Sequence, residues 1–318
     1  MRSLITGVGG FVGQHLAAHL LRQGLEVWGV ARNPIRWHVE DVEDDVRFSL
    51  LSGDLSLRDD ALAAVERARA DHVYHLAGMS SVPDSYADPV GTLTNNAAAQ
   101  VNILEAVRSV APRSRVLVVS SAEIYGRAGG DAPIDETATF WPENPYAVSK
   151  ATQDLLAYQY GVSYALDIVR VRPFNHIGPG QSERFVASSF GRQIACIETG
   201  REDAVMRVGN LSPQRDFTDV RDMVRAYELA LLSGETGAAY NLGTGVGISI
   251  GDLLERFLMR SKTPVAVEVD QDRLRRTDAP FLVCDSVRFR ERTRWQPTIP
   301  LDTTVEDILA YWRAQVAA

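Results

Sequence analysis

From its second residue to about residue 171 the chain alternates two hydrophobic patterns. Short apolar, β-branched runs give way to longer stretches in which apolar residues return every three or four positions. Residues 3–6 read as a strand. Residues 10–23 read as a helix with Phe11, Leu16, Ala17, Leu20 and Leu21 on one face and Gly24 as its stop. Strands are predicted at 26–30, 46–50 and 72–76, with a helix at 59–69. A long helix over about 96–110 is stopped by Pro112. Residues 115–120 (RVLVVS) are nearly all apolar, as in a strand buried on both faces. A helix at 146–160 and a sixth strand at 164–171 complete the series. Strands alternating with helices predict a parallel sheet with right-handed crossovers. After Pro173 the pattern loosens, and helices are expected near 185–199, 219–232, 250–260 and 303–314.

Composition narrows the picture by exclusion. The chain has 318 residues, 45% hydrophobic and 23% charged, with a formal net charge of -8. That balance predicts no general affinity for nucleic acid or anionic membranes. No apolar stretch reaches the roughly 18 residues of a membrane span. MRSLITG reads as the start of a strand rather than a signal peptide. The two cysteines, Cys196 and Cys284, stand far apart and in no ligand spacing, so reduced thiols in a cytoplasmic protein and no metal site are expected.

The first chemistry lies at TGVGGFVG. Gly7, Gly10 and Gly13 follow the first strand and open the first helix. A helix N-terminus offers free N–H groups and partial positive charge to a pyrophosphate, and glycine lets backbone and phosphate approach. A dinucleotide cofactor is therefore expected. Readers of NAD usually place a carboxylate at the end of the second strand, for the ribose 2′-hydroxyl. Here Arg32 and Asn33 stand in its place. An arginine fork suits a 2′-phosphate, which favours NADP(H) with NAD(H) as the second choice. Asp54 in SGDLS and the HLAG run at 75–78 fall at further strand ends near the cofactor. The fold expected is α/β: a Rossmann-like doubly wound parallel sheet with a smaller, interleaved C-terminal substrate lobe. Residues 1–172 plus about 216–246 would form the dinucleotide-binding domain, and about 173–215 plus 247–318 the smaller lobe.

Tyr146 and Lys150 stand four residues apart in NPYAVSK and so share one helix face. An ammonium beside a phenol favours phenolate, which would lower the Tyr146 pKa toward working pH and make it a proton donor. VVSSAEIYG adds Ser120, Ser121 and Glu123 at the end of the fifth strand, where doubly wound sheets bind ligands.

The TGVGGFVG start, HLAG, SSAEIYG and the YAVSK helix together resemble the extended short-chain dehydrogenase/reductases, the epimerase/dehydratase family acting on nucleotide sugars. The resemblance covers essentially the whole chain. It implies a triad of Ser121, Tyr146 as acid/base, and Lys150 holding the ribose and tuning Tyr146. It implies cofactor contacts from the glycine loop (Gly7, Gly10, Phe11, Val12, Gly13) and from Arg32, Asn33, Asp54 and Leu55. Further along it implies Leu76, Ala77, Gly78, Asn96, Val119 and Pro173.

Three later stretches bear on the substrate: RPFNHIGPGQ with Asn175 and His176, RVGNLSPQRDFTDVRD with Arg215, and RRTDAP with Arg275 and Asp278. Arg215, just before a helix start, and Arg275 are candidates to clamp a diphosphate. Their pattern resembles the family branch that reduces GDP-linked 4-keto-6-deoxyhexoses. That likeness implies substrate contacts from Asn175, Val208, Asn210, Arg215 and Arg275. It sets Ser80 near the hexose and Phe185 and Val186 near the guanine. Glu123 is the residue that 4,6-dehydratases of the superfamily use as a base, so a GDP-mannose 4,6-dehydratase stays open beside a C4 reductase. A 4-epimerase and a non-enzymatic dinucleotide sensor are further alternatives. The helices at 96–110 and 146–160 carry apolar residues suited to a homodimer interface, which the resemblance also implies.

Overall fold

The computed structural model describes residues 1–274 and 277–317. In chain order the first half runs β1 (Arg2–Thr6), α1 (Phe11–Arg22), β2 (Glu26–Ala31), β3 (Phe48–Ser52), α2 (Arg58–Ala68), β4 (His72–His75), α3 (Val82–Ala87), α4 (Pro89–Val110), β5 (Arg115–Val119), α5 (Pro145–Tyr164) and β6 (Ile168–Pro173). There follow β7 (Asn175–Ile177), α6 (Val186–Glu198), β8 (Val205–Val208), β9 (Gln214–Asp219), α7 (Val220–Ser233) and β10 (Ala239–Leu242). The chain closes with β11 (Gly247–Ser249), α8 (Ile250–Leu258), β12 (Ala266–Val269), β13 (Phe281–Leu282), α9 (Val287–Thr293) and α10 (Leu301–Ala317).

Seven strands form one parallel sheet in the order β3-β2-β1-β4-β5-β6-β10. The pleat explains why these strands read as continuously apolar. Leu4, Val73, Val116 and Ile168 point to the face covered by α2, α4 and α5. Their neighbours Ile5, Tyr74, Leu117 and Val169 point to the face covered by α1 and α7. The chain winds outward from β1 to β3 and then crosses back to β4 on the other side of β1. That reversal opens a crevice at the carboxyl ends of β1 and β4.

A second body is built on β9, which pairs with β7, β11 and β13, and on the β8–β12 pair. Helices α6, α8 and α10 close over its own core of Phe190, Ile194, Met206, Phe257 and Ile308.

Several elements depart from the sequence expectation. The third strand is shifted to Phe48–Ser52, leaving Val46 in solvent. Helix α4 begins two turns early, at Pro89, because Asp88 caps it by accepting from the Gly91 N–H at 2.8 Å. Tyr164 ends α5 rather than opening the sixth strand, and Ala165 follows at φ +54°. Arg215 lies inside β9, not at a helix start. Within 247–318, α9 does not stay with the smaller body: Phe289 and Trp295 join the core of the main sheet.

Candidate active site

A cleft of about 640 Å³ opens at the carboxyl ends of the parallel strands, between the main sheet and the second body. The glycine loop forms one end. Gly7 has φ +70°, and its N–H donates to the Val30 carbonyl at 3.0 Å. A Cβ at Gly13 would lie 2.4 Å from the Gly7 oxygen, so only glycine lets α1 approach β1 this closely. Gly10, the N-cap residue of α1, offers no side-chain cap, which leaves first-turn N–H groups available to a phosphate. A bare cradle of backbone N–H groups at a sheet reversal fits a dinucleotide.

Every cofactor residue singled out in the sequence lines this cleft except Asn96. Arg32 and Asn33 lie at the end of β2, with Arg32 3.6 Å from Asp54. Bonds from the Ser56 hydroxyl and N–H, more than Arg32, hold the Asp54 carboxyl below the usual range. Asn96 is fully buried behind the wall. Its Oδ1 accepts from the Met79 N–H at 2.7 Å, and its Nδ2 donates to the Met79 carbonyl and the Ser149 hydroxyl. It therefore fixes the loop after β4, while Asn95 faces the cleft. Thr6 escaped the sequence reading, and His75, read there as part of the HLAG run, does not itself line the cleft. The Thr6 hydroxyl meets His75 Nδ1 at 2.9 Å and accepts from the Leu76 and Ala77 N–H groups at 3.1 Å. Burial, with the Lys150 charge second, pushes His75 down to about 3, so the ring stays neutral.

Ser121, Glu123, Tyr146 and Lys150 converge on the same cleft. Asn144 caps α5 by accepting from the Ala147 N–H at 2.8 Å, and its Nδ2 reaches Glu123 at 3.2 Å. The Ser120 hydroxyl holds the Lys150 carbonyl at 3.1 Å. These contacts fix the first turn of α5 against the end of β5. The Lys150 ammonium donates to the Val119 carbonyl at 2.6 Å and to Gln153 Oε1 at 2.8 Å. Burial lowers its pKa to about 8, with Asp154 opposing. The lowered tyrosine pKa expected from the Tyr–Lys spacing is not found. Burial pushes Tyr146 up to about 12, a hydrogen bond with Ser121 opposes this, and the Glu123 charge adds to it. Burial outweighs the Ser121 bond, and the Lys150 ammonium is directed at a carbonyl and an amide.

At the far end, Ser80, Asn175, His176, Phe185 and Val186 line the cleft. The remaining substrate candidates do not. Val208 is buried in the core of the second body. Asn210 is exposed, and its Oδ1 accepts from Ser212 at 2.9 and 3.1 Å. Arg215 is buried and paired with Asp278 at 2.5 Å, donating also to the Gln214 and Ala279 carbonyls. Asp278 borders a separate small cavity with Glu143 and Thr277. Arg275 lies outside the described residues. The sequence set Arg215 just before a helix start, whereas the pairing of β9 with three strands places it in a strand and buries it.

A glycine-cradled crevice at a sheet reversal, facing a serine, a tyrosine and a lysine, defines an NAD(P)-dependent oxidoreductase of the doubly wound α/β class. The comparisons narrow the class to nucleotide sugars: residues 4–308 match the GDP-mannose 4,6 dehydratase family, and the chain belongs to it. It is 34% identical to the GDP-6-deoxy-D-mannose reductase of Pseudomonas aeruginosa, over 99% of this chain and 98% of that one. It is 28% identical to a GDP-mannose 4,6-dehydratase of Vibrio cholerae, over 97% of this chain and 92% of that one. Among solved structures, RMD from Pseudomonas aeruginosa complexed with NADPH superposes with a TM-score of 0.85 at 32% identity, covering 99% of this chain and all of that one.

Proposed function

We propose that this protein reduces the C4 keto group of GDP-4-keto-6-deoxy-D-mannose to give GDP-D-rhamnose, using NADP(H) in preference to NAD(H). The observation that carries this reading is the full-length likeness to a GDP-6-deoxy-D-mannose reductase, at 34% identity against 28% for the dehydratase. NADP(H) is preferred because Arg32 and Asn33 occupy the end of β2, and because the similar RMD structure is complexed with NADPH. In this reading residues 1–172 and 216–246, joined by α9, hold the dinucleotide, and residues 173–215 with the rest of 247–318 close over the GDP-sugar. Ser80, Ser121 and Asn175 meet the sugar, and Phe185 and Val186 the guanine.

When bound, the dinucleotide supplies the hydride that reduces the C4 carbonyl carbon. Tyr146 keeps its proton in the buried site and transfers it to the C4 oxygen as charge develops there. Ser121 donates a hydrogen bond to that oxygen and polarises the carbonyl. Lys150, one helical turn from Tyr146, would hold the cofactor ribose, and its ammonium would steady the phenolate left behind once turned from the Val119 carbonyl and Gln153 toward it. Glu123, tied to Asn144, orients a sugar hydroxyl.

Among the described residues no helix is long and apolar enough to cross a membrane; the reading is of a cytoplasmic enzyme, working as a homodimer through α4 and α5. A second reading, GDP-mannose 4,6-dehydratase, is favoured by one feature: the Glu123 carboxylate lines the cleft beside Ser121 and Tyr146. One coupled assay separates the two. GDP-4-keto-6-deoxymannose is generated in situ and the absorbance of NADPH, and separately NADH, is followed. Loss of reduced cofactor with a GDP-6-deoxyhexose product is expected. No oxidation, with keto sugar formed from GDP-mannose alone, makes Glu123 a dehydratase base.

A further inference from the structure

The Lys150 ammonium is held by a residue that does not itself line the cleft. Lys150 is buried, and Gln153, also buried, stands behind it. Two of the three ammonium protons have protein acceptors, the Val119 carbonyl at 2.6 Å and Gln153 Oε1 at 2.8 Å. Gln153 is held in turn from α4. Its Nε2 donates to the Asn96 carbonyl at 3.1 Å, and its main-chain carbonyl accepts from Gln100 Nε2 at 2.6 Å. A carbonyl only accepts, so the Asn96 contact fixes which end of the Gln153 amide is nitrogen and turns Oε1 toward the ammonium.

The charged groups around Lys150 are engaged elsewhere or stand apart from this contact. Asp154, one turn on in α5, favours the ammonium but is paired with Arg170 and Arg172 of β6. His75 of β4 is neutral. In β5 the charged residue is Arg115, at the opposite end from Val119 and 3.4 Å from Asp167. Helix α4 carries its charges, Glu105 and Arg108, well beyond Asn96. Glu123, Tyr146 and Tyr227 share the cleft with Lys150. The side chain that accepts from the ammonium is therefore a neutral amide. Such an acceptor fixes a cation without neutralising it, where a carboxylate would keep it in an ion pair. It gives way to a phenolate, which is charged and the stronger acceptor.

We propose that Gln153 is a positioning residue for the reaction: it holds the Lys150 ammonium on the α4 side until Tyr146 gives up its proton, and it sets the pH above which the site loses that cation. This rests on the reading of Lys150 as the residue that meets the cofactor ribose and the phenolate. Burial works against the ammonium and lowers its pKa to about 8. A hydrogen bond strengthened by the charge works the other way, and Gln153 supplies one.

The sequence makes the test direct, because Lys150 and Lys262 are its only lysines. The full chain, isotopically labelled at lysine Cε, gives one magnetic resonance signal from each, and Lys262→Arg, at an exposed position, assigns them. Without cofactor, wild-type Lys150 is expected to titrate near pH 8. Gln153→Met removes the acceptor at similar length and should move the midpoint down by about one pH unit, the scale of one hydrogen bond to a charged group. Gln153→Glu keeps the acceptor, adds charge and should move it up by about one unit or more. NADPH affinity, read by fluorescence, should fall at the shifted pH in each variant. Displacement in opposite directions is not what a change in packing alone produces. Midpoints that stay with wild type, or that move the same way in both variants, overturn the proposal. Gln153→Glu decides the matter by itself if Gln153→Met does not fold. A wild type whose NADPH affinity ignores the Lys150 midpoint removes the reading of Lys150, and the proposal with it. Variants that fail to shift beside a wild type that follows the midpoint overturn the role of Gln153 alone.

Discussion

At the residue scale the site turns on where two protons sit. Tyr146, pushed up to about 12, is protonated throughout the neutral range and ready to donate. Tyr146→Phe is expected to lower turnover by about 10²–10⁴-fold while leaving NADPH affinity nearly unchanged; retained activity in the coupled assay would remove the tyrosine from its role. Lys150 behaves oppositely, carrying its ammonium below about pH 8 and losing it above. NADPH affinity, followed by fluorescence, should therefore fall as pH passes 8 in wild type, and Lys150→Met should flatten the profile. The same depression has a sign for stability: between about 8 and the ordinary 10.5 the unfolded chain binds more protons at this site. Its contribution to the stability of the free protein rises with pH across that window. The identities of Ser121, Glu123, Tyr146 and Lys150 were legible because each sits in a short motif beside a strand end or helix start. Thr6, Gln14, Asn144 and Gln153 were not, since what marks them is a partner brought in by folding. Thr6 meets His75 across 69 positions, and Gln14 reaches Arg36 across 22.

At the scale of elements, two contacts decide whether the crevice exists. Helix α1 approaches β1 through Gly13, where an added methyl would strike the Gly7 carbonyl at 2.4 Å and Val8 Cα at 2.7 Å. Neither obstacle is a flexible side-chain end. Gly13→Ala is expected to cost about 1–3 kcal/mol of stability and to abolish dinucleotide binding, read by urea denaturation and calorimetry. Helix α5 is fixed to β6 by Asp154, fully buried, which meets Arg170 at 2.6 Å and Arg172 at 2.9 Å. Arg172 in turn lies over the rings of Tyr125 and Phe140, 5.6 and 4.8 Å from their centroids. Asp154→Asn leaves both cations in the interior without their counter-charge, and about 3–5 kcal/mol should be lost in urea denaturation. A loss under 1 kcal/mol would mean that water reaches the cations on its removal. The sequence marked most of these helices and strands, with errors at their ends. Periodicity reports the buried stripe of a helix, and the first turns of α4, set by Asp88 and Pro89, leave their Val90 in solvent and so showed no such stripe. The strands of the second body are two to six residues long, too short to display a period.

For the whole molecule, the exposed face of α5 bears on assembly. Leu155, Tyr158 and Val162 are 58, 53 and 68% exposed at positions that share one helix face. In the homodimer reading this stripe meets its own copy, so Leu155→Glu with Val162→Glu should shift sedimentation to the monomer without loss of NADPH binding. Unchanged sedimentation would remove α5 from any interface. By itself the sequence determined the alternating α/β plan, the glycine cradle after the first strand, and the strand-end and helix positions that bring Ser121, Tyr146 and Lys150 to one cleft. Each is encoded in residues close together along the chain, where backbone conformation and strand-end position follow from local pattern. The tertiary structure alone decided which polar residues reach the cleft. Strand pairing around β9 buried Arg215 against Asp278, and neither residue lines the crevice. Burial among packed elements raised the proton affinity of Tyr146 where its spacing from Lys150 predicted the reverse. Desolvation and long-range hydrogen bonding depend on what surrounds a group in three dimensions, and a local pattern does not carry that information.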